Sequence, residues 1–179
     1  MQLLQDFSLF VHKKASWRNI GIATLVWLLF QVILGYFKSK IDVNVSTPVP
    51  LLDFALGHSP QSVYNTILAA YNETALANYK MAEIVDMFYP LSYATLFSLL
   101  ICKGFNKLTW ACLIPFIAII FDYLENIGIM IMVYGLPKQH LDIALFYLIC
   151  CHLKWIFAGI TIILMLVSLS LWGVKSWKK

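Results

Sequence analysis

A chain of 179 residues that is 61% hydrophobic and only 12% charged lies far from the roughly 25% charged residues of an ordinary soluble domain. Its mean hydropathy of +0.78 argues against a water-facing fold, and its length leaves no room for a soluble domain of ordinary size beside a membrane bundle. The net charge of +4 comes from clusters of lysine and arginine, with no basic run interleaved with aromatics. That excludes a nucleic-acid surface and makes the lipid bilayer the expected partner.

Residues 1–19 place Leu3, Leu4, Phe7, Phe10 and Val11 on one helical side, with Gln2, Gln5, Asp6, His12, Lys13 and Lys14 on the other. This pattern predicts an amphipathic N-terminal helix lying in the membrane interface. The uncharged stretch Gly21–Phe37 is seventeen residues long, longer than the usual core of a cleaved signal, and no A-x-A-like site follows it. It is read as a retained first span over 20–37.

Residues 38–83 form the longest connection and begin with a polar segment punctuated by Pro48 and Pro50. Ser59-Pro60 reads as a helix N-cap with proline at the first helical position. Apolar residues Val63, Ile67, Leu68, Tyr71, Leu76, Tyr79 and Ile84 then recur with helical spacing. One or two short helices capping the bundle are expected here, the second running into the next span. Asn44-Val45-Ser46 and Asn72-Glu73-Thr74 match the glycosylation sequon, which has meaning only in a eukaryotic secretory setting.

A second span is expected over 84–102, with a kink where Pro90 leaves the Asp86 carbonyl without its helical partner. Ala94 and Ser98 are spaced to let another helix approach closely. Spans over 108–134 and 143–172 complete an all-α, integral membrane four-helix bundle in a single domain. Cys102, Cys112, Cys150 and Cys151 contain no C-x-x-C and read as small buried hydrophobes.

Eight of the thirteen basic residues, from the N-terminus, the 103–107 loop and the tail, fall on one side of this topology. Lys38, Lys40, Lys80 and Lys138 fall on the other. The positive-inside rule therefore puts both termini in the cytoplasm and residues 38–83 outside. The short chain, with no eukaryotic sorting signal, favours a bacterial inner membrane.

The third span carries Asp122, Glu125 and Asn126 in its middle, at i, i+3 and i+4 and hence on one face. Each charge at that depth costs about 2.5–3.5 kcal/mol or more, so partners are required. Asp86, Tyr89 and Tyr93 share a face of the second span, and Lys154 lies on the fourth at a compatible depth. Asp86, Asp122, Glu125, Asn126 and Lys154 are expected to meet in the outer half of the bundle as a pocket or ion network, with Tyr89 and Tyr93 either lining it or belonging to the core. Asp86, Asp122 and Glu125 against Lys154 leave an excess of negative charge. A protonated acid, water or a bound cation should therefore accompany them. His152 reads as hydrogen-bonded structure. Asp53 with His58, and His140 with Asp142, lack a full metal-ligand set and read as solvated. No cofactor or metal motif is present, and Ser92, Ser98 and Thr161 have no neighbouring base in the sequence.

On Gly57 of G-H-S-P, on Asp86, Tyr89, Pro90 and Tyr93 of D-x-x-Y-P-x-x-Y, and on Asp122, Glu125 and Asn126 of D-x-x-E-N, the chain resembles a group of small four-span membrane proteins of unassigned function. The resemblance implies the architecture and no reaction. In layout alone the chain is also similar to the sterol-isomerase-like group, whose His and Glu pattern in the early spans is absent here. Three functions are compatible with the pocket. The first is binding or translocation of a small polar ligand, lipid headgroup or cation. The second is acid/base chemistry on a lipid or isoprenoid by Asp122 or Glu125, with Lys154 tuning it. The third is a structural or assembly role in which the ions only order helices.

Overall fold

The computed structural model describes residues 2–105 and 110–177, apart from the side chain of Leu3. Lys107, the start of the expected third span at Leu108, and Lys178 and Lys179 lie outside the described residues. The elements are α1 (Gln2–Lys14), α2 (Trp17–Asp42), a 3-10 turn (Leu52–Phe54), α3 (Pro60–Ser62) continued by a π-helical turn (Val63–Leu68), α4 (Glu73–Asp86), α5 (Tyr89–Phe105), a 3-10 turn (Trp110–Leu113), α6 (Ile114–Gly135) and α7 (Leu141–Trp177). The fold is all-α; a single isolated bridge, Val45 with Tyr71, is the β pairing among the described residues.

Among the described residues four helical stretches are long and apolar enough to cross a membrane: Trp17–Asp42, Glu73–Phe105, Trp110–Gly135 and Leu141–Trp177. Their surfaces carry Leu25 and Val32, 69% and 71% exposed, while Glu83, Asp122, Glu125, Asn126 and Lys154 are buried. Apolar residues outside and ionisable residues inside are the arrangement of a chain whose solvent is hydrocarbon. The protein is an integral membrane protein by that distribution.

The second stretch is interrupted where proline dictates. Met87 and Phe88 close α4 by bonds to Glu83 and Val85 carbonyls, both 3.0 Å. Pro90 then occupies the first turn of α5, where its missing N–H needs no intrahelical acceptor. The expected kink is thus a two-residue break, and the helix before it begins eleven residues earlier than the expected start of the span at Ile84.

The chain divides into two compact units. The first comprises Met1–Leu29, Leu91–Ile119 and Trp155–Lys179. Its core joins Val11 and Ile20 to Leu96, Leu99, Ile101, Cys102 and Cys112. Here α1 is anchored by Val11, by a Ser8 Oγ–Cys112 Sγ contact of 3.4 Å and by an edge contact of Phe7 with Phe116. Leu4, Phe7 and Phe10 stay exposed, so the apolar side is largely left for lipid. Ala94 and Ser98 are buried, and Ser98 Oγ donates to the Cys112 carbonyl at 2.5 Å.

The second unit comprises Phe30–Pro90 and Ile120–Lys154. Its core gathers Ile41, Leu52, Val63, Ile67, Ala75, Tyr79, Ile129, Met132 and Tyr147, among others. Ser59 Oγ accepts the Ser62 N–H at 3.2 Å and Pro60 follows it, as its sequence position implies. Asn72 Oδ1 caps α4 through the Ala75 N–H at 2.8 Å. Gly57 turns the chain before this cap at φ +81°, a conformation that a side chain would strain. On α6, Gly128 lies against Tyr147 of α7, where an added Cβ would meet the tyrosine Cβ at 2.7 Å.

Candidate functional site

Three neighbouring turns of helix and one turn of loop bring ionisable side chains together in the second unit. The α6 stripe supplies Asp122, Glu125 and Asn126, all buried. From α7, Lys154 Nζ lies 2.5 Å from Glu125 Oε2, 3.4 Å from Asp122 Oδ1 and 3.8 Å from Asp53 Oδ1. From α4, Asp86 Oδ2 accepts a 2.7 Å hydrogen bond from Asn126 Nδ2. One turn earlier Glu83, 3% exposed, sits within electrostatic reach of Asp53, Asp86, Glu125 and Lys154.

Asp53 is the member that sequence reasoning placed elsewhere. It was expected to be solvated, yet its carboxylate faces Lys154 and accepts the Tyr79 hydroxyl at 2.9 Å. The Leu52–Phe54 turn carries it inward because Leu52 and Ala55 are fully buried. Two further bonds hold that turn: the Tyr147 hydroxyl donates to the Leu52 carbonyl at 2.9 Å, and Cys151 Sγ donates to the Asp53 carbonyl at 3.6 Å. Glu83 was missed as well. The recoverable signal was its α4 face, where Tyr79, Glu83 and Asp86 recur at i, i+4 and i+7.

Of the residues expected to converge, Asp86, Asp122, Glu125, Asn126 and Lys154 do so. The Tyr89 hydroxyl accepts from Gln31 Nε2 at 2.7 Å. Tyr93 belongs to the first unit and its ring lies 6.1 Å from that of Phe97. His152 Nδ1 lies 2.6 Å from the Leu148 carbonyl, the local structural bond expected of it. His58 is engaged by Ser62 Oγ at 2.9 Å.

Five of the chain's nine acidic residues therefore surround one lysine. Lys154 offers three donors and is engaged by three carboxylates, each with two acceptor oxygens, so the acceptors outnumber what it can satisfy. Glu83 Oε2, Glu125 Oε1 and Asn126 Oδ1 are buried without a hydrogen-bond partner among the described residues. A buried acceptor left in that state costs about 1–3 kcal/mol, more when charged. Such a cost persists where another group is meant to meet it. Among the described residues no set of three or more His, Cys, Asp and Glu has the arrangement of a metal-binding group.

Beside the cluster, Tyr71 stacks on Tyr79 with ring centres 5.6 Å apart. Burial, and then the negative charges of Asp53, Asp42 and Glu83, hold its phenol well above the ordinary value of 10.0. The raised native value means that the neutral phenol favours the fold below pH 10.0, the unfolded value, and that this contribution is lost as pH climbs beyond it. Tyr71→Phe is expected to flatten the decline in thermal midpoint between about pH 9 and about pH 11. A decline as steep as in the wild type would remove Tyr71 from this account.

The fold and this constellation define a helical membrane protein with a buried, acid-rich, lysine-centred site. Comparisons of the chain with known protein families, characterised proteins and solved structures find no match.

Proposed function

We propose that this protein binds a small cationic or donor-rich ligand at the cluster of Asp53, Glu83, Asp86, Asp122, Glu125, Asn126 and Lys154. The observation that carries this reading is the surplus of buried acceptors, Glu83 Oε2 and Asn126 Oδ1 in particular, that the donors of the described residues leave unmet. A purely structural network would be expected to close on itself, because every open acceptor lowers stability. A ligand bearing ammonium or other N–H donors would both satisfy these atoms and offset the negative charge. Asp53, the cluster's half-buried loop carboxylate, gives such a ligand a first contact from the loop side.

Orientation follows the basic residues: Lys13, Lys14, Arg18 and Lys103 mark the cytoplasmic side, and the 38–83 connection with Asp53 faces out. The site is therefore entered from the extracytoplasmic side.

Native mass spectra of the wild type and of Glu83→Gln/Asp86→Asn provide the test. A small polar mass retained by the wild type and absent from the folded variant is expected. Each lost charge-assisted contact is worth on the order of 10–100-fold in Kd. If the neutral variant folds and retains the same mass at the same level, or neither protein retains one, the ligand-binding reading fails and the ordering role replaces it.

A further inference from the structure

A second site lies at the end of α2. A cleft of about 490 Å³ is lined by Lys38 and Asp42 together with apolar side chains that include Pro48, Pro50, Leu51 and Phe54. Its volume is within the ~300–1,000 Å³ of small-ligand sites. Lys38 and Asp42 are spaced i, i+4, so their side chains share a helical face about 5–6 Å apart. Opposite charges at that spacing commonly pair, yet among the described residues neither forms an ion pair. Both are exposed and line the cleft, one positive and one negative.

The apolar lining is preformed. Ser46 N–H donates to the Ala70 carbonyl at 2.9 Å, and Val45 bridges to Tyr71. The Tyr71 hydroxyl donates to the Pro50 carbonyl at 3.4 Å. Pro48 and Pro50 have no N–H of their own to offer, which leaves the wall apolar, and Phe54 stands 52% exposed.

The height of this cleft decides its occupant. At 26 residues, α2 is about 39 Å long at 1.5 Å per residue, longer than a hydrocarbon core of about 30 Å. Its ends therefore reach the headgroup layer. Tyr36, with the Lys40 ammonium 5.5 Å from its ring centre, and Trp17 at the opposite end are the aromatic anchors of such boundaries. A headgroup-level cleft with one cation, one anion and an apolar wall is complementary to an amphiphile whose head carries both charges.

We infer that this cleft binds a zwitterionic phospholipid, with Lys38 taking the phosphate, Asp42 the ammonium group, and the Pro48–Phe54 wall the glycerol and upper acyl region. The site is independent of the acidic cluster, and the inference stands whether or not that cluster has a ligand.

The test is lipid retention by the delipidated full-length protein in detergent. Phosphatidylethanolamine or phosphatidylglycerol of matched chains is added and the adducts are counted by native mass spectrometry. The wild type is expected to prefer the zwitterion on the order of tenfold. Asp42→Asn is expected to lose that preference, and Asp42→Lys to reverse it toward the anionic lipid. Both changes are at an exposed position and leave the core untouched, so thermal midpoints should match the wild type. Equal retention of the two lipids by the wild type, or a preference that survives both substitutions, would overturn the assignment. Displacement of the lipid by an equal concentration of free phosphoethanolamine would overturn the lipid as the source and leave a soluble zwitterion in its place.

Discussion

Lys154→Met is expected to lower stability by about 3–5 kcal/mol, the effect of removing one partner from a buried ion network. Methionine fills a similar volume, so the loss is electrostatic rather than a cavity. It leaves Glu125 and Asp122, at 2.5 and 3.4 Å from the departed ammonium, facing each other without a counter-charge. Asp53 loses an ion pair as well, but keeps the Tyr79 hydroxyl. Adding Glu125→Gln should restore much of the loss, since the variant then buries one fewer unmatched charge and gains an N–H donor. Unfolding of the three proteins in one detergent decides the matter. If Lys154→Met unfolds like the wild type, the lysine does not hold the cluster, and the charge argument for the site goes with it. If the double variant is as unstable as the single, Glu125 is not the group that Lys154 compensates.

Much of this site was legible because helices turn sequence into geometry. Asp122, Glu125 and Asn126 had to share a face once α6 was a helix, and an apolar span leaves such a face no water to turn to. Lys154 followed from depth along an antiparallel neighbour. Asp53 was not legible in the same way. It sits in a segment with no period, whose polar and proline residues suit a solvated loop. Only the tertiary burial of Leu52 and Ala55 turns its carboxylate inward. Leu51-Leu52 beside it was the one local hint. Glu83 lies at the border between the expected cap and the expected span, where a helical period read from either side stops short of the face it shares with Tyr79.

Tyr89 is a different case. Pro90 announces an irregularity in the second span, and the helix is interrupted at Met87–Phe88 rather than merely kinked. The Tyr89 hydroxyl accepts from Gln31 of α2, a partner that the period of its own span could not announce.

Gly104→Ala is the second substitution with a large expected effect, and it concerns the first unit. A Cβ at Gly104 would run into the Ser168 backbone carbon and carbonyl oxygen, and into the Ser168 hydroxyl at 2.5 Å. Backbone atoms of a long helix cannot step aside as a flexible side-chain tip does, so α5 and α7 must move apart locally. Overpacking typically costs about 1–3 kcal/mol, occasionally more, and a clash with main chain belongs at the upper end. Ser168 is fully buried and its hydroxyl is already committed to the Met165 carbonyl at 2.9 Å, which removes the easiest relief. Gly159→Ala on α7 is the control, because nothing lies within 4 Å of its Cβ position, and its midpoint should be little changed. A Gly104→Ala protein that melts with the wild type would mean that the two helices do not approach as closely as described. Loss at Gly104 without loss at Gly159 would show that the absence of a side chain at this one position, rather than glycine's flexibility in general, sets the contact between α5 and α7.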